Sequence, residues 1–138
     1  MSDLMKHRLQ NGERLVVFAV GRMFHHNIIQ HLGMQGGWDG FWIDTEHAGL
    51  TAREVEIAAM AGRAHGLESF VRVPPTDYSA VTRCFEGGAT GVMGAQIQSA
   101  EHAEQFVRLA KFAPRGQRGL NPLGYDGGYG TIPMGEFT

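Results

Sequence analysis

Two acidic residues and a histidine follow an apolar run in the first third of the chain. The run Phe41-Trp42-Ile43 is aromatic and β-branched, which predicts a strand buried on both faces, and Asp44, Glu46 and His47 come directly after it. Three titratable groups at the end of an apolar strand are costly without partners, and such clusters more often mark chemistry than packing. A histidine beside carboxylates can serve as a general base, with Asp44 orienting it and Glu46 contacting metal-bound water. In the simpler alternative, the acids are solvated turn residues and the histidine caps the next helix.

A single arginine interrupts another predicted strand. Arg72 lies between Val71 and Val73, immediately before Pro74. A guanidinium at a strand end can bind a carboxylate through two parallel hydrogen bonds. A structural ion pair with a neighbouring strand, with Asp44 as the partner, explains the same residue equally well, because buried charges are normally paired.

Two other polar stretches are weaker candidates. Gln96 and Gln98 lie at the end of the fourth predicted strand and could line the same site and contact a substrate, although ordinary turn polarity is the more common role of glutamine. The stretch Pro-Arg-Gly-Gln-Arg-Gly at 114–119 could close over an anion through backbone N–H groups, or could be a plain surface loop.

Strand and helix patterns alternate along the chain and position these residues. The predicted strands are 15–20, 40–44, 69–73 and 91–97, and helices are predicted over 2–10, 27–34 and after the caps Thr51, Asp77 and Ser99. This α/β alternation predicts a parallel sheet with right-handed crossovers. Four βα units are half of a (β/α)8 barrel, and composition alone also allows an open four-stranded sheet. We expect one domain over 1–138 with a loop-rich tail at 114–138, which carries seven of the twenty glycines.

Composition excludes several classes of function. The net charge is −2 and the basic residues are scattered, which argues against nucleic-acid or membrane partners. Cys84 is the only cysteine, so no internal disulfide or thiolate metal site can form. The polar N-terminus lacks the apolar segment of a signal peptide, and the expected location is the cytoplasm.

Five stretches, in this order and at this spacing, resemble the HpcH/HpaI family of class II pyruvate aldolases. They are 41–48 (FWIDTEHA), 71–74 (VRVP), 88–93 (GATGVM), 98–101 (QSAE) and 114–119 (PRGQRG). The resemblance implies a TIM-type (β/α)8 barrel that cleaves a 4-hydroxy-2-oxo acid into pyruvate and an aldehyde. It also implies that His47 is the base, assisted by Asp44, and that Arg72 holds the pyruvate enolate.

The resemblance further implies a divalent cofactor, Mg, Mn or Co. The family supplies a Glu and an Asp ligand from the second half of its barrel, and no residue of this chain matches either, so the chain resembles an N-terminal half.

The two unpaired strand edges of this chain, at 15–20 and 91–97, predict a homo-oligomer. Two alternatives remain: a non-catalytic half-barrel that binds small oxo acids or assembles with another chain, and a different barrel lyase or decarboxylating synthase. The aldehyde partner is not specified by these residues.

Overall fold

The computed structural model describes residues 5–137, which form a four-stranded parallel sheet flanked by helices. The strands lie in the order β1-β2-β3-β4, so β1 and β4 are the two edges of the sheet. The elements in chain order are α1 (Met5–Gln10), β1 (Val17–Val20), α2 (His26–Gln35), β2 (Gly40–Asp44), α3 (Ala52–Arg63), β3 (Glu68–Val73), α4 (Tyr78–Glu86), β4 (Gly91–Gly94), α5 (Ala100–Ala110), a 3₁₀ helix (Tyr125–Gly130) and α6 (Met134–Phe137).

Local side-chain bonds fix where the helices begin. The Thr51 hydroxyl accepts the Glu54 N–H while the Glu54 carboxylate accepts the Thr51 N–H, which forms a capping box and confirms Thr51 as the cap of α3. The side chains of Asp77 and Ser99 each accept a backbone N–H in the first turn of α4 and α5, so these two caps are also confirmed. These caps satisfy backbone donors that have no partner inside the helix, so each crossover helix starts at a defined distance from the preceding strand.

One face of the sheet is covered by the helices and forms the core. Phe41, Ile43, Val71 and Val73 point to this face and are fully buried. Helix α3 approaches closely because Gly62 has no side chain: a Cβ there would lie 2.4 Å from the Phe41 ring. The spacing between sheet and helices therefore depends on a glycine–aromatic contact.

The opposite face is largely open within residues 5–137. Strand alternation places Trp42, Asp44, Phe70 and Arg72 on this face, and all four are half-buried. Only the amino ends of the strands are covered there, by α1, where Met5 is buried and donates its backbone N–H to Glu68. The prediction that the Phe41–Ile43 run is buried on both faces is therefore wrong for Trp42.

Several boundaries and helix faces differ from the sequence prediction. Strand β4 ends at Gly94 rather than 97, and β1 begins at Val17 rather than 15. The apolar pattern of the second and fifth helices predicts that Ile28 and Val107 face inward, but they are 48% and 49% exposed. Residues 2–4 of the predicted first helix lie outside the described residues. The tail predicted to be loop-rich contains the 3₁₀ helix and α6.

None of the helices in residues 5–137 is long and apolar enough to cross a membrane.

Candidate functional site

An ion pair joins the carboxyl ends of β2 and β3. The parallel register places Asp44 directly beside Arg72. The arginine donates from Nε to Oδ1 at 3.1 Å and from Nη2 to Oδ2 at 2.7 Å, so the contact is bidentate. This pairing is the alternative raised above for Arg72. It leaves the Nη1 edge of the guanidinium without a hydrogen bond to any residue in 5–137, so the arginine retains donors for a second anion.

Asp44 also shapes the turn that follows β2. Its Oδ1 accepts the backbone N–H groups of Glu46 at 2.9 Å and His47 at 3.2 Å. The hydrogen bonds from Arg72 and from this turn hold the pKa of Asp44 below its usual value, and the same pairing raises the pKa of Arg72. Asp44 is therefore a carboxylate at neutral pH that fixes both the arginine and the turn carrying the histidine.

Glu46 lies at the centre of the cluster. One of its oxygens is 3.2 Å from Arg72 Nε and the same oxygen is 3.5 Å from His47 Nε2. The other oxygen accepts a 3.1 Å hydrogen bond from the Gln96 side chain, fifty residues along the chain. The imidazole thus lies next to Glu46, whereas Asp44 contacts His47 through the main chain. With its side chain 68% exposed, His47 is accessible to a ligand on the open side of the site.

Gln96 adopts an unusual backbone conformation. Its φ is +50°, in the left-handed region that few residues other than glycine occupy. The turn at Gln96 comes directly after β4 and brings its side-chain amide to Glu46. The loops after β2 and β4 therefore meet above β3. Gln98 is not part of this contact; its backbone N–H points to His102 of α5.

Two residues at the site were not singled out from the sequence. The Thr45 hydroxyl and backbone N–H both bond to the carbonyl of Arg72, which extends the β2–β3 pairing past the last strand residues. The Trp42 ring lies 5.0 Å from the Arg72 guanidinium, forming a cation–π contact beneath the ion pair. Period-two alternation places Trp42 on the same face as Asp44 and could have identified it; a threonine in a turn gives no comparable signal.

The other candidates lie elsewhere. Arg118 of the 114–119 stretch is buried, pairs with Asp126, and is packed between the rings of Phe85 and Phe112. That arginine therefore anchors the tail against α4 and the end of α5 and does not face an open anion site. Burial raises the pKa of the Cys84 thiol to about 12, so this cysteine is protonated at neutral pH.

A resident divalent ion does not fit the described residues by themselves. Within residues 5–137, no three or more His, Cys, Asp or Glu side chains are arranged to hold a metal. The two carboxylates of the site, Asp44 and Glu46, both contact Arg72, and the positive charge of this arginine opposes the binding of a cation there. Mg²⁺ prefers six oxygen ligands, and these two residues supply only a small part of them.

The comparisons with known proteins converge on one family. The chain is 32% identical over 100 residues to a 4-hydroxy-4-methyl-2-oxoglutarate aldolase from Hapsidospora irregularis, a match that covers 72% of this chain and 37% of the relative. An HpcH/HpaI aldolase from Desulfitobacterium hafniense superposes with a TM-score of 0.78 and 33% identity over 86% of this chain and 45% of that one. An HpcH/HpaI aldolase/citrate lyase family protein from Burkholderia cenocepacia gives a TM-score of 0.82 and 28% identity over 92% and 51%.

These matches also define how much of the fold is present. No family model matches the chain. The chain spans between about a third and half of the length of the proteins it matches. Its four βα units therefore correspond to half of the (β/α)8 barrel of these neighbours. From the shared fold and the sequence identity, we conclude that this chain belongs to the HpcH/HpaI aldolase family.

Proposed function

We propose that the chain carries the base and the oxo-acid-binding arginine of a pyruvate aldolase, which cleaves a 4-hydroxy-2-oxo acid into pyruvate and an aldehyde. The observation that carries the proposal is the convergence of Asp44, Glu46, His47 and Arg72 at the carboxyl ends of β2 and β3, on the open face. The carboxyl ends of the strands are where (β/α)8 enzymes bind their substrates.

Arg72 has the geometry of an oxo-acid anchor. Asp44 and Trp42 hold its guanidinium in place, and its Nη1 edge remains available for a substrate carboxylate or for the oxygen of an enolate. A fixed positive group aimed at the oxygen that gains charge lowers the barrier, because it requires no reorganisation during the reaction.

His47 is suited to take the proton that starts the cleavage. The base removes the proton from the C4 hydroxyl; the new C4 carbonyl forms, the C3–C4 bond breaks, and its electron pair moves to the C2 carbonyl. An aldehyde leaves and a pyruvate enolate remains, stabilised by Arg72, until C3 is protonated. The Glu46 carboxylate lies beside this imidazole, 3.5 Å from its Nε2.

The family resemblance extends the proposal to a divalent metal and to the distal substrate. A Mg, Mn or Co ion would polarise the oxo acid, and its ligands would come from outside residues 5–137. The proposed small-molecule partners are a pyruvate-type oxo acid and an aldehyde.

Enolate formation can be tested without knowing the aldehyde. The chain is incubated with pyruvate in D₂O, with and without Mg²⁺, and replacement of the methyl protons by deuterium is followed by NMR. We expect exchange above the buffer blank, and a loss of about 10²- to 10⁴-fold for His47→Ala, the usual size of general acid–base catalysis. Arg72→Lys should also slow exchange, since an ammonium cannot reproduce the bidentate geometry.

His65→Ala is the matched control. This histidine lies in the turn before β3, at the amino end of the sheet and away from the site. Its loss should leave exchange unchanged. A wild-type rate equal to the blank, or a His47→Ala rate within tenfold of wild type, would contradict the proposal.

A further inference from the structure

The open face and both strand edges of the half-barrel form one continuous uncovered surface. Ala19 of β1 is exposed, Met93 of β4 is 37% exposed, and Trp42 and Phe70 between them are half-buried. Ile28 of α2 is 48% exposed and forms a groove with Phe18 to Val20 beside the β1 edge. Unpaired edges and apolar faces of this kind favour association.

We propose that two copies of this chain pair edge to edge and close an eight-stranded ring with twofold symmetry. In this arrangement β4 of each copy lies parallel to β1 of the other. Four strands per copy provide the eight strands of the barrel that the structural neighbours build from a chain about twice as long. The inference concerns assembly and does not depend on the proposed aldolase activity.

The backbone of both edges has hydrogen-bonding groups available for such pairing. Within a parallel pair, alternate residues direct their N–H and C=O groups to the same neighbouring strand. The bond from Asp39 N–H to the Val16 carbonyl fixes this alternation for β1, and the bond from Ala95 N–H to the Val73 carbonyl fixes it for β4. It follows that the backbone groups of Ala19 and Val92 point away from the sheet, towards the position of the added strand.

The side chains on the open face are arranged to fill a shared interior. The register aligns Ala19, Trp42, Phe70 and Gly91 in one row across the four strands. This row has small residues at both edges and large ones in the middle, so two copies would place the Trp42 and Phe70 rings in the interior and small residues at both seams. Barrel interiors are filled by side chains that alternate strands contribute in layers.

The ion pair on the open face does not oppose the second copy. Asp44 and Arg72 neutralise each other within one copy, so these two residues bring no unpaired charge into the interior of the closed ring. All eight strands would run in the same direction, and both copies of the His47 site would lie on one rim. The partner copy would then cover each site on the side that is open in a single copy.

Light scattering after gel filtration of the 138-residue chain at micromolar concentration tests the assembly. We expect twice the mass of the chain for wild type. Met93→Lys should shift the protein to the monomer, because it places a charge inside the closed ring. Met60→Lys is the matched control: this methionine lies on α3, is 58% exposed, and should leave the dimer intact. A wild-type monomer that unfolds cooperatively, or equal behaviour of the two lysine variants, would overturn the proposal.

Cross-linking distinguishes the ring from other dimers and does not rely on the lysine variants folding. Ala19→Cys and Met93→Cys chains are mixed and treated with a short bis-maleimide. The ring predicts cross-links between the two different chains, because β1 of one copy lies beside β4 of the other. Cross-links mainly between two Ala19→Cys chains would indicate a different dimer and refute the ring.

Discussion

The carboxylate of Asp44 connects the stability of the chain to the geometry of its site. It bonds Arg72 through both oxygens and accepts two backbone N–H groups of the turn that carries His47. A group that is stabilised as an anion in the fold makes stability depend on pH. The residue proposed to support catalysis is thus also a measurable part of the folding free energy.

The first prediction concerns this pH dependence. Because the folded-state pKa of Asp44 lies below its unfolded value of about 3.9, its contribution is complete above that pH and is lost as the pH falls through the folded value. Asp44→Asn keeps the shape but removes the charge. We expect the stability difference between wild type and Asp44→Asn, measured by urea unfolding at pH 7, 4 and 3, to shrink steadily with falling pH.

Glu101→Gln serves as the control for that series. Glu101 lies in the first turn of α5, away from the Asp44–Arg72 pair. The variant should follow the wild-type pH profile near pH 4 much more closely than Asp44→Asn does. A constant difference between wild type and Asp44→Asn across this range would show that the pair contributes nothing through its charge.

The second prediction isolates the backbone of Gln96. Both Gln96→Ala and Gln96→Gly remove the hydrogen bond to Glu46, but only glycine adopts φ of +50° without steric cost. We expect the glycine variant to be more stable than the alanine variant by about 1 kcal/mol in thermal or urea unfolding. Equal stability would mean that this position relaxes to an ordinary conformation once the side chain is lost.

At the level of elements, helix α3 is held against β2 by a close contact. Gly62 allows the helix backbone to approach the Phe41 ring, and Val55, Ala58 and Ala59 complete the buried side of the helix. The loop between β2 and α3 carries Glu46 and His47, so the position of this helix also constrains the site.

The third prediction tests that contact. Gly62→Ala would improve helix propensity, but its methyl group would lie too close to Phe41, and overpacking a core typically costs about 1–3 kcal/mol. We expect net destabilisation in urea unfolding. Met60→Ala on the exposed side of the same helix should change stability by less than about 0.5 kcal/mol. A more stable Gly62→Ala would show that the core relaxes around the added methyl.

At the level of the whole molecule, the chain forms one side of a barrel. Its catalytic candidates come from the ends of two neighbouring strands, and the face in front of them is not covered within residues 5–137. The described residues can therefore position the proposed base and the proposed anion-binding arginine without the opposite wall of the barrel.

The fourth prediction follows for metal binding. With Asp44 and Glu46 both engaged by Arg72, the isolated chain should bind Mg²⁺ with a dissociation constant no tighter than about 10⁻⁴ M in calorimetry. Arg72→Gln should strengthen binding, because it removes the competing cation from the two carboxylates. Micromolar binding by wild type would reveal a metal site that these side chains do not form.

Local sequence patterns determined most of the secondary structure. The capping box at Thr51 and the caps Asp77 and Ser99 depend on residues three positions apart, and the strand at 40–44 is marked by its apolar run, so both are encoded by neighbours in the chain. The parallel order followed from the alternation of strands and helices. The same short-range logic placed Asp44, Glu46, His47 and Arg72 at strand ends.

Only the tertiary structure decided how these residues are paired and which faces are covered. The strand register places Asp44 beside Arg72. The left-handed backbone at Gln96 lets its side chain donate a hydrogen bond to Glu46, fifty residues away in the chain. Sequence periodicity cannot show that Trp42 faces an open surface, or that Arg118 is buried between two aromatic rings. The pairing and exposure of these side chains depend on packing between segments that are distant in the chain. A local sequence pattern carries no information about those contacts or their energies.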